Sequence, residues 1–327
     1  MKRLAILAVA AASVVVAYPA QAQDTDATAR YAVLKSCPKK DYRVPCGPWT
    51  ITRRDGKQFV LADAQVFQVW VNGKNSTEVS LPITLSGDGQ RVVYFRKSDR
   101  RLVVRDLTTD KVFTLPSKVA QVPKGLTMGD IGTFLSKDGT LLAVDYLADT
   151  AKRPSWIVEV DTGTVSTVKG NASVESISPG GKYLLASEYT NENTLKYIAY
   201  DTTGNVANSQ VVPQVISNNA PVALADDGAT VAVIVNSATG KKYLRTYDLA
   251  QDTLGERIKA AIPDTESVQR ALWDTSDRLS VWTFHDAETY TATLTTSWHL
   301  DAGTGEAKKT DSFKIKSMVW DYRLPGG

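Results

Sequence analysis

The sequence predicts an all-β chain, a β-propeller of six four-stranded antiparallel blades with a composite seventh blade as the alternative, and three observations carry that expectation. First, a ten-residue unit recurs as TRRDGKQFVL from Thr52, LSGDGQRVVY from Leu85, LSKDGTLLAV from Leu135, ISPGGKYLLA from Ile177, LADDGATVAV from Leu224 and WDTSDRLSVW from Trp273. Successive starts lie 33, 50, 42, 47 and 49 residues apart, the spacing of four-stranded blades. Second, the strands after these turns, such as Val92 to Phe95 and Val231 to Val235, are apolar on both faces, as strands sandwiched between sheets must be. Third, Asn72, Asp106, Asp161, Asp201, Asp248 and Asp301 follow the turns by 16 to 24 residues, each closing a third strand and opening a further turn.

Taken from the N-terminus, Met1-Lys2-Arg3 is basic, Leu4 to Ala17 is an apolar run of fourteen residues, and Ala20-Gln21-Ala22 is a small-x-small site. That is the layout of a secretory signal peptide cleaved after Ala22. The run is shorter than the ~20 apolar residues of a membrane span. No later stretch is long and apolar enough to span a membrane, and no Cys follows the cleavage site to carry a lipid. The expected mature protein is secreted, extracellular, bacterial and monomeric. Cleavage removes Lys2 and Arg3 and lowers the net charge from +3 to +1, which argues against a nucleic-acid partner.

Residues 23 to 47 are expected as an N-terminal arm ahead of a propeller over residues 48 to 327. The arm holds both cysteines, Cys37 and Cys46, which should pair in an oxidising exterior and staple it to the first blade. Without Cys-x-x-Cys spacing, redox chemistry is the weaker reading. Blades are expected at 48 to 82, 83 to 117, 126 to 170, 171 to 214, 215 to 261 and 265 to 315, the first compressed. The tail Ser317 to Arg323 resembles the opening of another repeat and is expected to add a strand that closes the ring with N-terminal residues. Closure would remove edge strands that otherwise invite aggregation.

The turn Ile177-Ser178-Pro179-Gly180-Gly181-Lys182 resembles the Ser-Pro-Asp-Gly-Lys turn of TolB-like and WD40-like propeller repeats, and Leu135 to Gly139 is a looser copy. The resemblance covers residues 48 to 315 and implies the fold, because the shared residues are turn formers. It departs from true WD40 repeats at Trp273 and Trp320, whose Trp-Asp pairs do not close a third strand. The layout is also similar to secreted actinobacterial propeller proteins without an assigned role.

Catalytic side chains are scarce. Only two histidines occur, and no Gly-x-Ser-x-Gly or His-Glu-x-x-His motif accompanies them. His299, between Trp298 and Leu300, reads as a strand residue. His285 with Asp286 and Glu288 forms the one weak catalytic candidate, incomplete as a catalytic or zinc site. The acidic turns at Asp138, Asp161 and Asp226 are explained by turn geometry rather than calcium, and no metal or cofactor is expected.

Basic residues recur at one position of three blades: Arg96, Lys97, Arg100 and Arg101; Lys152 and Arg153; Lys241 and Lys242. Loops joining second to third strands share one rim with the blade-to-blade connections, so these groups are candidates for an anionic partner, although acidic residues share the face. The tryptophans read as core, with Trp49 and Trp320 as alternative sugar platforms near the ring seam. The leading expectation is a non-enzymatic binding module that engages a protein or cell-envelope glycan through rim loops. The alternatives are a lyase, lactonase or hydrolase with a central-channel site and, from the TolB resemblance, an envelope-transport accessory.

Overall fold

The computed structural model describes residues 26–147, 153–168, 172–285, 293–315 and 319–327. The expected signal peptide lies outside these residues. The N-terminal strands are β1 (Ala29–Lys39), β2 (Tyr42–Arg53) and β3 (Gln58–Leu61), followed by a hairpin of β4 (Phe67–Val69) and β5 (Asn75–Ser80). The first continuous blade is β6 (Thr84–Leu85), β7 (Arg91–Phe95), β8 (Leu102–Asp106) and β9 (Val112–Thr114). After the short helix α1 (Ser117–Ala120) comes the second, β10 (Ile131–Leu135), β11 (Leu141–Tyr146), β12 (Ser155–Glu159) and β13 (Val165–Val168). The third is β14 (Ser173–Ile177), β15 (Tyr183–Tyr189), β16 (Leu195–Asp201) and β17 (Val206–Val211).

Helix α2 (Gln214–Ser217) leads to the fourth blade, β18 (Val222–Leu224), β19 (Thr230–Asn236), β20 (Lys242–Asp248) and β21 (Thr253–Leu254), with β22 (Ile258–Lys259) also pairing along β20. The fifth is β23 (Glu266–Thr275), β24 (Arg278–His285), β25 (Thr293–Asp301) and β26 (Ala307–Ile315). The last strand, β27 (Val319–Arg323), pairs with β1, giving a closing sheet in the order β27-β1-β2-β3. The protein is therefore an all-β, six-bladed propeller of antiparallel meanders, its ring closed by both ends of the chain.

The assignment differs from the sequence expectation in three places. The tail does close the ring with N-terminal residues, but their composite sheet is the sixth blade rather than a seventh. Residues 29 to 47, expected as an arm, are β1 and half of β2. The expected blade at 48 to 82 is not one unit, because its turn at Gly56 joins β2 to β3, a third strand to a fourth. The turns at Gly89, Gly139, Gly181 and Gly228 each join a first strand to a second. Asp-Gly chemistry suits either hairpin, so it does not mark strand rank. Gly89 has a further reason: its φ is +75°, and a Cβ there would lie 2.3 Å from the Ala29 carbonyl oxygen.

Apolar residues on both strand faces fill the spaces between blades. One cluster joins the closing sheet to the first blade around Trp49, Ile51, Leu85 and Tyr94, and a smaller one joins the fifth blade to the closing sheet around Trp282, Phe284 and Phe313. Intervening clusters pack each blade on the next. First strands of all six blades line a central channel of about 660 Å³.

Candidate functional site

The face bearing the second-to-third strand loops is built unevenly. The long β1–β2 hairpin rises there, stapled by the Cys37–Cys46 disulfide across Cα atoms 5.8 Å apart. Beside it stands β4–β5, an insertion in the connection between the closing sheet and the first blade. Glu78 on β5 accepts hydrogen bonds from Lys39 Nζ at 2.9 Å and Tyr42 Oη at 2.7 Å, tying the two hairpins together. These groups are exposed, so the contact contributes little stability. Its effect is to position the wall.

Trp70 and Val71, at the β4–β5 turn, are 42% and 69% exposed. They border a cleft of about 680 Å³ with Arg100 and Arg101 of the β7–β8 turn and residues 121 to 128 of the next blade connection. A second cleft of about 420 Å³ lies across the 121–124 loop and is bordered by Lys118, Lys124, Tyr146, Arg153 and Trp156. The two clefts share Gln121, Val122, Pro123 and Lys124. Lys118 Nζ sits 5.2 Å from the Trp156 ring centroid, and Trp156 Nε1 donates to Tyr146 Oη at 2.6 Å.

Local sequence explains how the cations are presented. The β7–β8 turn puts Arg100 at φ 59°, and the Arg96 carbonyl accepts the Arg100 N–H at 2.8 Å. That closed turn projects Arg100 outward. Arg96 is turned aside: its Nε donates to Asp99 Oδ1 at 3.0 Å, and this ion pair lowers the Asp99 carboxyl below its usual range. Arg101 reaches Ser117 Oγ at 3.4 Å, and Arg153 donates to the Lys124 carbonyl at 3.2 Å. Lys97 is exposed beside this turn but does not border either cleft.

The structure thus brings together Arg100, Arg101 and Arg153 of the expected basic set and separates the rest. Lys241 is exposed on another blade, whereas Lys242 is only 2% exposed. Lys242 Nζ donates to the carbonyls of Gly240, Pro263 and Asp264 at 3.1, 2.9 and 3.3 Å, which is a structural role. Adjacent strand residues point to opposite sides, so neighbouring lysines in sequence do not make one patch. Lys152 lies outside the described residues, as do Asp286 and Glu288.

His285 is exposed at the end of β24 and borders neither cleft nor the channel. His299 Nε2 lies 3.7 Å from Asp274 Oδ2, and burial, with Arg278 nearby, lowers its pKa. Trp49 is fully buried, its Nε1 donating to the Leu81 carbonyl at 3.2 Å, and so offers no sugar platform. Trp320 is 38% exposed and donates to Ser80 Oγ at 2.9 Å. Trp70 is thus an exposed tip residue rather than the core residue its strand pattern predicts, and Lys118 and Lys124, which border the clefts, carry no repeat signal in the sequence. The Asn72-Gly73 turn, which leaves Trp70 and Val71 at a hairpin tip, was the available signal.

No family model matches the chain, and no curated protein matches it. Its structure neighbours are TolB and WD40 propellers. TolB from Acinetobacter baumannii is similar at 16% identity over 92% of this chain and 67% of that one, with a TM-score of 0.49. The WD40 domain of SCAP from fission yeast is similar at 12% identity over 78% of this chain and 53% of that one, with a TM-score of 0.39. A puromycin-hydrolyzing peptidase from Mycobacterium tuberculosis is similar at 15% identity over 90% and 54% of the two chains, with a TM-score of 0.41. The site rests on this chain's own residues.

Proposed function

We propose that the protein is a binding module whose paired rim clefts take an anionic chain, either a polypeptide segment or a cell-envelope glycan. The observation that carries this reading is the meeting of exposed Trp70 with Arg100 and Arg101 on one cleft beside a disulfide-stapled wall. An exposed indole supplies apolar or stacking area at low entropic cost, and the guanidiniums supply charge and directional donors. Lys124 and Arg153 extend the same electrostatics into the second cleft. The disulfide is compatible with an extracellular or envelope setting. No described helix is long and apolar enough to cross a membrane.

The test is titration with poly-L-glutamate and, separately, with an oligouronate, alongside crosslinking in the native envelope fraction. Trp70→Ala should weaken the productive ligand roughly 30-fold, as loss of an aromatic anchor does. The Arg100→Ser/Arg101→Ser pair should weaken binding and flatten its salt dependence. If both variants bind both probes as the parent does and retain its crosslinks, the clefts are not the binding surface. The catalytic alternative gains no comparable support from the position of His285. Capture of an envelope membrane complex at these clefts would favour the transport accessory.

A further inference from the structure

The central channel holds a second feature that the rim site does not use. Strand β23, the innermost of its blade, carries Arg270 to a cavity of mixed lining, in which Phe134, Val222 and Leu272 alternate with polar groups such as Thr133 and Ser176. Among the described residues no carboxylate forms an ion pair with Arg270. The guanidinium is pushed below its ordinary pKa by burial and by Arg323, a second cation bordering the cavity. Arg323 is satisfied on one side by Asp321 at 2.8 Å, while its Nε is buried without a hydrogen-bond partner.

The backbone is irregular at the same level. The β23–β24 register skips at Gln269, and the β14–β15 register skips at Glu175, so both polar residues sit at bulges in innermost strands. Bulges re-aim side chains and recur beside functional sites. Glu175 borders the channel and accepts from Ser187 Oγ at 2.5 Å. Burial, with Asp145 nearby, raises its pKa. At one end, the Gly326 N–H donates to the Leu85 carbonyl at 3.1 Å, and a Cβ on Gly327 would lie 2.1 Å from Arg270 Cζ. Backbone therefore hems the guanidinium on that side, while the cavity borders it on another.

Arg270 is half-buried, and a partly desolvated guanidinium without a carboxylate partner favours an anion in the cavity it faces. A cavity of about 660 Å³ falls in the size range of small-molecule sites, which combine apolar walls with a few placed polar groups. We propose that the channel binds a small organic anion, its carboxylate or phosphate monoester held by Arg270 beside Arg323, its apolar body against the inner strands. This site is separate from the rim clefts, with which it shares no lining residue.

The probes are benzoate, phenyl phosphate and the neutral benzamide, followed by calorimetry and thermal unfolding of the full chain. Saturable binding of benzoate or phenyl phosphate, raising Tm by about 5 °C at a hundredfold excess over Kd, is expected; benzamide should give no shift. A response to benzoate alone identifies a carboxylate site, and one to phenyl phosphate alone identifies a phosphate-ester site. Arg270→Gln should weaken the responsive anion at least tenfold, with Arg270→Lys intermediate, and Arg100→Ser/Arg101→Ser should leave it unchanged. Arg270→Met should abolish the response. Absence of saturation with both anions, or an anion response that survives Arg270→Met, would overturn the proposal.

Discussion

Toward the first blade the closing sheet buries Ala32, Leu34, Trp49 and Ile51, all fully excluded from solvent. Toward the fifth blade it presents Arg30, Tyr31 and Val33 to a seam of aromatic and charged groups. Alternation along β1 sets Tyr31 and Val33 opposite Ala32 and Leu34, and the register irregularity at Arg30 brings that residue to the side of Tyr31. In the second seam Tyr31 stacks on Phe313 at 4.7 Å between centroids, and Phe284 meets Tyr322 edge-on at 5.2 Å. Arg30 lies 4.6 Å from the Phe313 centroid and donates through Nε to Asp311 Oδ2 at 2.8 Å. The first seam joins neighbours in sequence by volume filling. The second joins residues 281 positions apart through directional contacts, which specify strand register more narrowly than aliphatic packing does.

This contrast makes ranked predictions for denaturant unfolding. Trp49→Ala should cost the most, about 3–5 kcal/mol, because it empties the dry seam and orphans the Leu81 carbonyl. The Cys37→Ser/Cys46→Ser pair, which lies in the raised hairpin, should cost roughly 2–3 kcal/mol and loosen the wall beside Trp70. Asp311→Asn should cost about 1–2 kcal/mol, since Arg30 and Arg54 lose their shared carboxylate. Phe313→Leu should cost about 1 kcal/mol, keeping apolar volume and losing the stack. An Asp311→Asn cost larger than that of Trp49→Ala would reverse the assignment of strength to the two seams.

The pH dependence sharpens the same contrast. Burial opposes ionisation of Asp311, but the Arg30 hydrogen bonds and charge, with Arg54, outweigh it and hold the carboxyl below its usual range. A depressed folded pKa contributes stability above the unfolded value of about 4, lost as pH falls through the lower folded value. The parent should therefore lose more stability than Asp311→Asn on acidification from about pH 5 to pH 2. Parallel acid curves for the two proteins would show that the pair does not stabilise the second seam.

Much of the propeller was legible from the turns at Gly89, Gly139, Gly181 and Gly228, because a positive φ and flanking apolar strands are local requirements. The first blade was misread because Gly56 obeys the same local chemistry at a different strand rank. Of the rim site, Arg100, Arg101 and Arg153 were visible as recurrent loop cations. Their union with Trp70 and Lys124 was not, since it depends on how a hairpin inserted between blades leans over the next connection. Arg270 and Glu175 carried no sequence signal beyond a charge inside a strand.

The sequence by itself determined the all-β meander, the approximate blade repeat and the pairing of Cys37 with Cys46, because turns, strand hydrophobicity and short loop closure act over a few residues. That the disulfide lies across the β1–β2 hairpin, rather than stapling an arm to the first blade, came from the structure. Tertiary structure alone decided that Lys242 is capped by carbonyls while Arg100 faces a cleft, and that first strands surround Arg270 in a channel. Burial and charge compensation are properties of what surrounds a residue, and around a closed ring those neighbours come from every part of the chain.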